Sequence, residues 1–129
     1  HTCTHEEPTD PELGYQPISS WFVRRSMENW AYFVQAFQKV KEGDGTLLDN
    51  MLIVGHSELG LARLHALDGL AMFTAGRAGG KIKTGLHIAG KGAPATRVGY
   101  TALRVMGLEI EQWGTKDNAT SQAISEILA

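Results

Sequence analysis

Between residues 46 and 55 the sequence reads TLLDNMLIVG, and its last five positions, Met51 to Gly55, are all apolar or small. A strand with one wet face alternates polar and apolar residues. This run, sharpest at Met51–Val54, does not alternate, so both of its faces are expected to be buried, as in the middle of a sheet covered by helices. It empties directly into His56, Ser57 and Glu58, with Gly60 two residues later. In open α/β sheets ligands collect at the carboxyl ends of strands. An imidazole, a hydroxyl and a carboxylate at such an end therefore mark a candidate site.

The surrounding pattern supports an α/β architecture. Residues 1–18 carry three of the four prolines and read as a loop. A long amphipathic helix is predicted over 19–42. Ser19 or Ser20 is placed to cap it, and Val23, Met27, Trp30, Val34 and Phe37 recur at helical spacing. Gly43-Asp44-Gly45 is expected to stop it. The aromatic residues of this helix, Trp21, Phe22, Trp30, Tyr32, Phe33 and Phe37, are expected in the core. Leu70–Thr74 is a second short apolar run, expected as a strand, followed by the glycine-rich GRAGGKIKTG. Pro94 is expected to open a helix with Val98, Ala102, Val105 and Met106 on its apolar face, closed by Gly107. The tail, 119–129, is predicted as a short amphipathic helix. Residues 46–113 thus form a strand, loop and helix core within one domain.

The 129 residues are 43% hydrophobic with a formal net charge of −2, which suits a globular domain and gives no electrostatic case for binding nucleic acid. No apolar run approaches the about 20 residues of a membrane-spanning helix. The lone Cys3 cannot form an internal disulfide. The first residue is His1 rather than Met, so the expectation is a trimmed start or the later part of a longer polypeptide.

The five histidines carry the candidate chemistry. His1 and His5 bracket Cys3 in HTCTH. On a helical turn they share a face and can grip one metal ion. On a strand they stand about 13 Å apart at about 3.3 Å per residue, too far for shared ligation. His56 and Glu58 are competent metal ligands, or a base and its orienting partner. Ser57 is a weaker nucleophile candidate, because the turn lacks the G-x-S-x-G pattern. His65 lies near Asp68, and His87 sits in a glycine-flanked loop. Gly85 to Lys91 nearly matches a phosphate-cradling loop. The next residue is Gly92, not Ser or Thr, so the magnesium-binding hydroxyl is missing.

Taken in order, EGDGTLLDNMLIVGHSELG, His65, GLAMFTAGRAGGKIKTGLH and APATRVGYTALRVMGLE resemble the C-terminal part of an alkaline-phosphatase-like protein. More narrowly, they are similar to an uncharacterised branch of secreted bacterial proteins that typically carry a twin-arginine leader far upstream. The resemblance spans about residues 43–113, and HTCTH more loosely. The resemblance implies a mostly parallel sheet flanked by helices, of which this chain is the C-terminal portion. It implies a periplasmic or secreted location, and zinc or another divalent transition metal held by His1, His5, His56, His65 or His87. Gly55-His56 or Ser57-Glu58 then occupies the family's metal-binding Asp-His turn, depending on register, with Ser57 and Glu58 as the catalytic candidates. The N-terminal portion of the same protein, or a partner chain, is expected to pack against this one. The aspartates of the family's metal motifs and its nucleophile-bearing half are absent from this chain. Two functions follow from the resemblance: a non-catalytic binding or structural subunit of a periplasmic assembly, or a metal-dependent phosphate- or sulfate-ester hydrolase. The metal centre this resemblance implies requires His56, His65 and His87 to gather around the end of the strand at residue 55.

Overall fold

The computed structural model describes all residues, 1–129. It contains four α-helices, α1 (Thr2–Glu6), α2 (Pro17–Gln38), α3 (Leu47–Asn50) and α4 (Thr96–Val105), and four short strands, β1 (Lys41–Glu42), β2 (Gly45–Thr46), β3 (Ile53–His56) and β4 (Met72–Ala75). The strands form two separate two-stranded antiparallel ribbons, β1 with β2 and β3 with β4. This corrects the expected mostly parallel sheet flanked by helices. A parallel pair needs a crossover of a dozen or more residues, usually helical. Here the chain after β3 turns back on itself instead. Gly60 N–H donates to Ala66 O at 2.9 Å, and Leu61 pairs with Ala66 around a 3₁₀ turn at Ala62–Leu64. The chain then returns beside β3, pairing Ile53 with Ala75 and His56 with Met72.

The predicted strand over 46–55 is also split. Thr46 N–H and Oγ1–H both donate to Asp49 Oδ2 at 2.8 Å, and this T-x-x-D turn starts α3. Only Ile53–His56 is strand, and half-buried and exposed residues alternate along it rather than lying in two dry faces. The missing alternation in the sequence comes from Val54, an apolar residue on the exposed side of the strand. Gly55 lies on the covered side, where a Cβ would overlap the Phe73 ring and reach within 3.0 Å of Trp30 Cζ3. Phe73 and Trp30 meet edge to face, with centroids 4.9 Å apart, and the pair docks α2 onto the β3–β4 ribbon. Gly55 makes room for an aromatic contact on the covered face.

At its start α2 is held by a distant residue rather than by Ser19 or Ser20. Pro17 occupies the first turn, and the Glu7 carboxylate accepts from Ile18 N–H at 2.6 Å, Ser19 N–H at 2.8 Å and Ser19 Oγ–H at 2.8 Å. Burial pushes the Glu7 carboxyl up, but these three hydrogen bonds outweigh it and hold the group below the ordinary range. At its other end α2 stops at Gln38. Gly43, at φ +57°, turns the β1–β2 hairpin rather than ending the helix.

No residue of α2 is buried, which corrects the expectation that its aromatics fill the core. Trp30, Val34 and Phe37 are half-buried, whereas Trp21 and Phe22 are more than half exposed and Tyr32 is 75% exposed. The core lies elsewhere. Ala78, Ile82 and Val105 pack together, with Leu52, Ile127 and Leu128 against them, between the glycine-rich turn, α4 and the tail. Gly107, at φ +95°, closes α4 while Leu108 N–H donates to Leu103 O at 3.0 Å.

The tail forms only a 3₁₀ turn at Ser125–Ile127 instead of the predicted helix. Its backbone bonds run outward. Ile124 N–H donates to Thr101 Oγ1 at 2.9 Å, Ala129 N–H donates to Lys81 O at 3.0 Å, and Ile127 O accepts from Lys83 N–H at 2.8 Å. Groups engaged in this way are not free to close helical turns. No helix is long and apolar enough to cross a membrane.

Candidate functional site

The structure brings three of the five histidines together, at the junction of α1 with the 3₁₀ turn at Ala62–Leu64. The first turn is helical, with His5 N–H donating to His1 O at 3.3 Å, so HTCTH places His1 and His5 on one face as one of the two sequence readings required. Their ring centroids are 4.5 Å apart. Gln16 Nε2 anchors the same segment by donating to Glu7 O at 2.6 Å. From the other side, the Arg63 guanidinium also donates to Glu7 O. Two residues on, His65 caps the 3₁₀ turn in the left-handed conformation, φ +51° and ψ +32°. A non-glycine residue takes that conformation only when its surroundings hold it there. It brings His65 Nε2 to 3.2 Å from His5 Nε2, with the two rings nearly perpendicular at 74°.

That separation has two chemical readings. As a hydrogen bond, one ring carries its proton on Nε2 and the other accepts it. As a ligand pair, two imidazoles at about 2.0–2.1 Å from a tetrahedral zinc ion stand about 3.3–3.4 Å apart, nearly the observed spacing. The residues fit a borderline transition metal better than calcium or magnesium, which take oxygen ligands. His1 does not complete the set. No group of three or more His, Cys, Asp or Glu side chains in the chain is arranged to hold a metal.

The other candidates lie apart from this pair. His56 Nδ1 donates to Ser57 O at 3.1 Å, at the exposed end of β3. Ser57 Oγ donates to Leu59 O at 2.6 Å and Ser57 N–H to Ala71 O at 2.8 Å, so the turn satisfies its own polar groups. Glu58 is exposed. His87 is exposed and lines a surface hollow with Lys91, Arg97 and Glu126. His56, His65 and His87 therefore do not assemble into one centre, and the end of β3 is a self-contained turn. The sequence reading missed Arg63 and Glu7, which dock the two halves of the histidine pair. Neither carries a local motif, and only proximity to His65 and His5 marks them.

Compared with known proteins, the chain matches no family model, no curated protein and no solved structure.

Proposed function

We propose that this chain is a non-catalytic, transition-metal-binding unit of a larger secreted or periplasmic protein. It holds zinc or a similar divalent ion between His5 and His65. The observation that carries the reading is the 3.2 Å approach of the two Nε2 atoms, reached through a left-handed His65. Two imidazoles fill half of a tetrahedral set, and the remaining positions go to water or to groups from another part of the assembly. A covering partner, either the N-terminal portion of the same protein or a separate chain, accounts for the exposed Trp21, Phe22 and Tyr32 on α2. The test is zinc titration by calorimetry, comparing the chain with a His5→Ala/His65→Ala variant. Saturable binding of about one ion, lost in the double variant, supports the proposal. Binding that is absent, or retained in the variant, defeats it.

Those open positions also favour a second reading, metal-assisted hydrolysis of a phosphate or sulfate ester, since catalytic zinc sites keep a position free for water. In this chain Ser57 donates its hydroxyl proton to a carbonyl and contacts no base, so the nucleophile of such a reaction is a metal-bound water or a group outside this chain, not Ser57. Turnover of aryl phosphate or aryl sulfate by the zinc-loaded chain with its covering partner, abolished by His65→Ala, would favour hydrolysis over simple binding.

A further inference from the structure

We propose that the hollow between the 87–93 loop and the first turn of α4 binds a small oxyanion that also carries a hydroxyl group, of the class of hydroxylated phosphate monoesters. The hollow has a volume of about 640 Å³, within the range of small-molecule sites. Its charged lining is Lys91, Arg97 and Glu126, with His87 at one side. It shares no residue with the His5–His65 pair and does not depend on the metal reading.

Three observations point to a ligand. First, the two cations and the carboxylate face one space without touching, since the chain's one ion pair is Arg25–Glu28 at 2.8 Å on α2. Second, the Arg97 guanidinium is fixed in place, with Nη2 donating to Ala123 O at 2.8 Å and Nε sealed from solvent. A planar guanidinium also suits the oxygens of a phosphate or carboxylate. Third, Lys91 is held at φ +50° beside Gly92 at φ +78°, in a turn closed by Ala93 N–H donating to Gly90 O at 2.9 Å. Such a conformation in a lysine is uncommon, and the turn fixes that residue at the rim of the hollow.

Glu126 sets the ligand's second feature. Its own backbone amide is the main influence keeping its carboxyl below the ordinary range. Burial opposes this, and the Ser125 hydroxyl, Arg97 and Lys91 add to it. An ionised carboxylate repels a bare anion but accepts a hydrogen bond from a hydroxyl. The hollow therefore suits a molecule with an anionic end for Arg97 and Lys91 and a hydroxyl for Glu126.

The test is a titration of the chain at constant ionic strength with inorganic phosphate and with sn-glycerol 3-phosphate, followed by amide NMR shifts. Saturable shifts in residues 87–97 and 123–126 are expected, with glycerol 3-phosphate bound more tightly than phosphate. Lys91→Gln, on an exposed loop, should weaken both ligands about tenfold. Arg97→Lys, which keeps the charge but loses the fork, should do likewise, with an unchanged circular dichroism spectrum confirming the fold. Glu126→Gln should tighten inorganic phosphate and remove the preference for glycerol 3-phosphate. Shifts that fail to saturate, or Lys91→Gln binding as well as the unaltered chain, would overturn the proposal.

Discussion

His5 Nε2 and His65 Nε2 face each other at 3.2 Å across 60 residues of sequence, and the approach is made from both sides. The helical turn of α1 presents His5, and the left-handed backbone at residue 65 presents its partner. The two requirements on residue 65, backbone and ring, can be separated by substitution. Asn tolerates the left-handed region but offers no imidazole. A His65→Asn variant should keep the melting temperature of the unaltered chain, because Arg63 still docks the turn through Glu7 O. It should also lose zinc affinity by more than tenfold, since disturbing even the outer partners of a metal ligand costs about 10–100-fold. Paired thermal melts and zinc titrations check both halves. A large fall in melting temperature with zinc affinity intact would assign the residue a structural role.

Gly55 lies under the rings of Phe73 and Trp30. Gly55→Ala should push the Phe73 ring aside and loosen the seat of α2, at a cost of about 1–3 kcal/mol typical of overpacking. Adding Phe73→Leu should recover part of that loss by removing the obstructing ring, a non-additivity that a double-mutant cycle measures in urea unfolding. Equal stability of Gly55→Ala and the unaltered chain would show that the aromatic contact does not fix the ribbon.

The acid limb of stability should follow the carboxylates that accept backbone hydrogen bonds. Glu7 and Asp49 are both held below their ordinary values in the folded chain. For Glu7 burial opposes the shift, but the Ile18 and Ser19 amides and the Ser19 hydroxyl prevail. For Asp49 the Thr46 hydroxyl and amide lead. A group whose folded pKa is depressed contributes stability above its unfolded pKa, and loses that contribution as pH falls through the folded one. Unfolding free energy should therefore fall as pH drops below about 4.5, the ordinary glutamate value. Glu7→Gln should be less stable than the unaltered chain at neutral pH and show a shallower decline in acid. Urea titrations between neutral and acid pH test this, and parallel curves for the two proteins would remove Glu7 from the account.

Local features were legible in the sequence where a short signal fixed the backbone. The helical spacing from Val23 to Phe37 marked α2, and Gly107 marked the end of α4. HTCTH was open between two conformations, and the structure selects the helical one. The apolar run Met51–Gly55 implies a two-sided strand, but its strand portion is a half-exposed antiparallel edge. The T-x-x-D pattern at Thr46–Asp49 is the sign that α3 interrupts the predicted 46–55 strand, and Val54 puts an apolar residue on the exposed side where alternation calls for a polar one. The candidate site was half legible. His1, His5 and His65 were each marked as metal ligands, but nothing in the sequence said that residue 65 meets residue 5 rather than residues 56 and 87. That pairing depends on a hairpin excursion and on an Arg63 contact to a backbone carbonyl, neither of which leaves a local pattern.

Ile82 tests where the stability of this chain resides. It is 1% exposed and sits between Ala78 and Val105, with Leu128 bridged to it across the tail. Only 8 of 129 residues are buried, so few other contacts can compensate for its loss. Ile82→Ala removes buried methyl groups and leaves a void, at a cost of about 2–5 kcal/mol. A domain of this size is stable by only about 5–15 kcal/mol, so the change should take away a large part of the total. Tyr32→Ala on α2 is the matched control. That ring is 75% exposed, and its removal should alter stability by no more than about 0.5 kcal/mol. Urea unfolding of the two variants side by side decides the matter. The reverse order of cost would relocate the core to α2 and its neighbours.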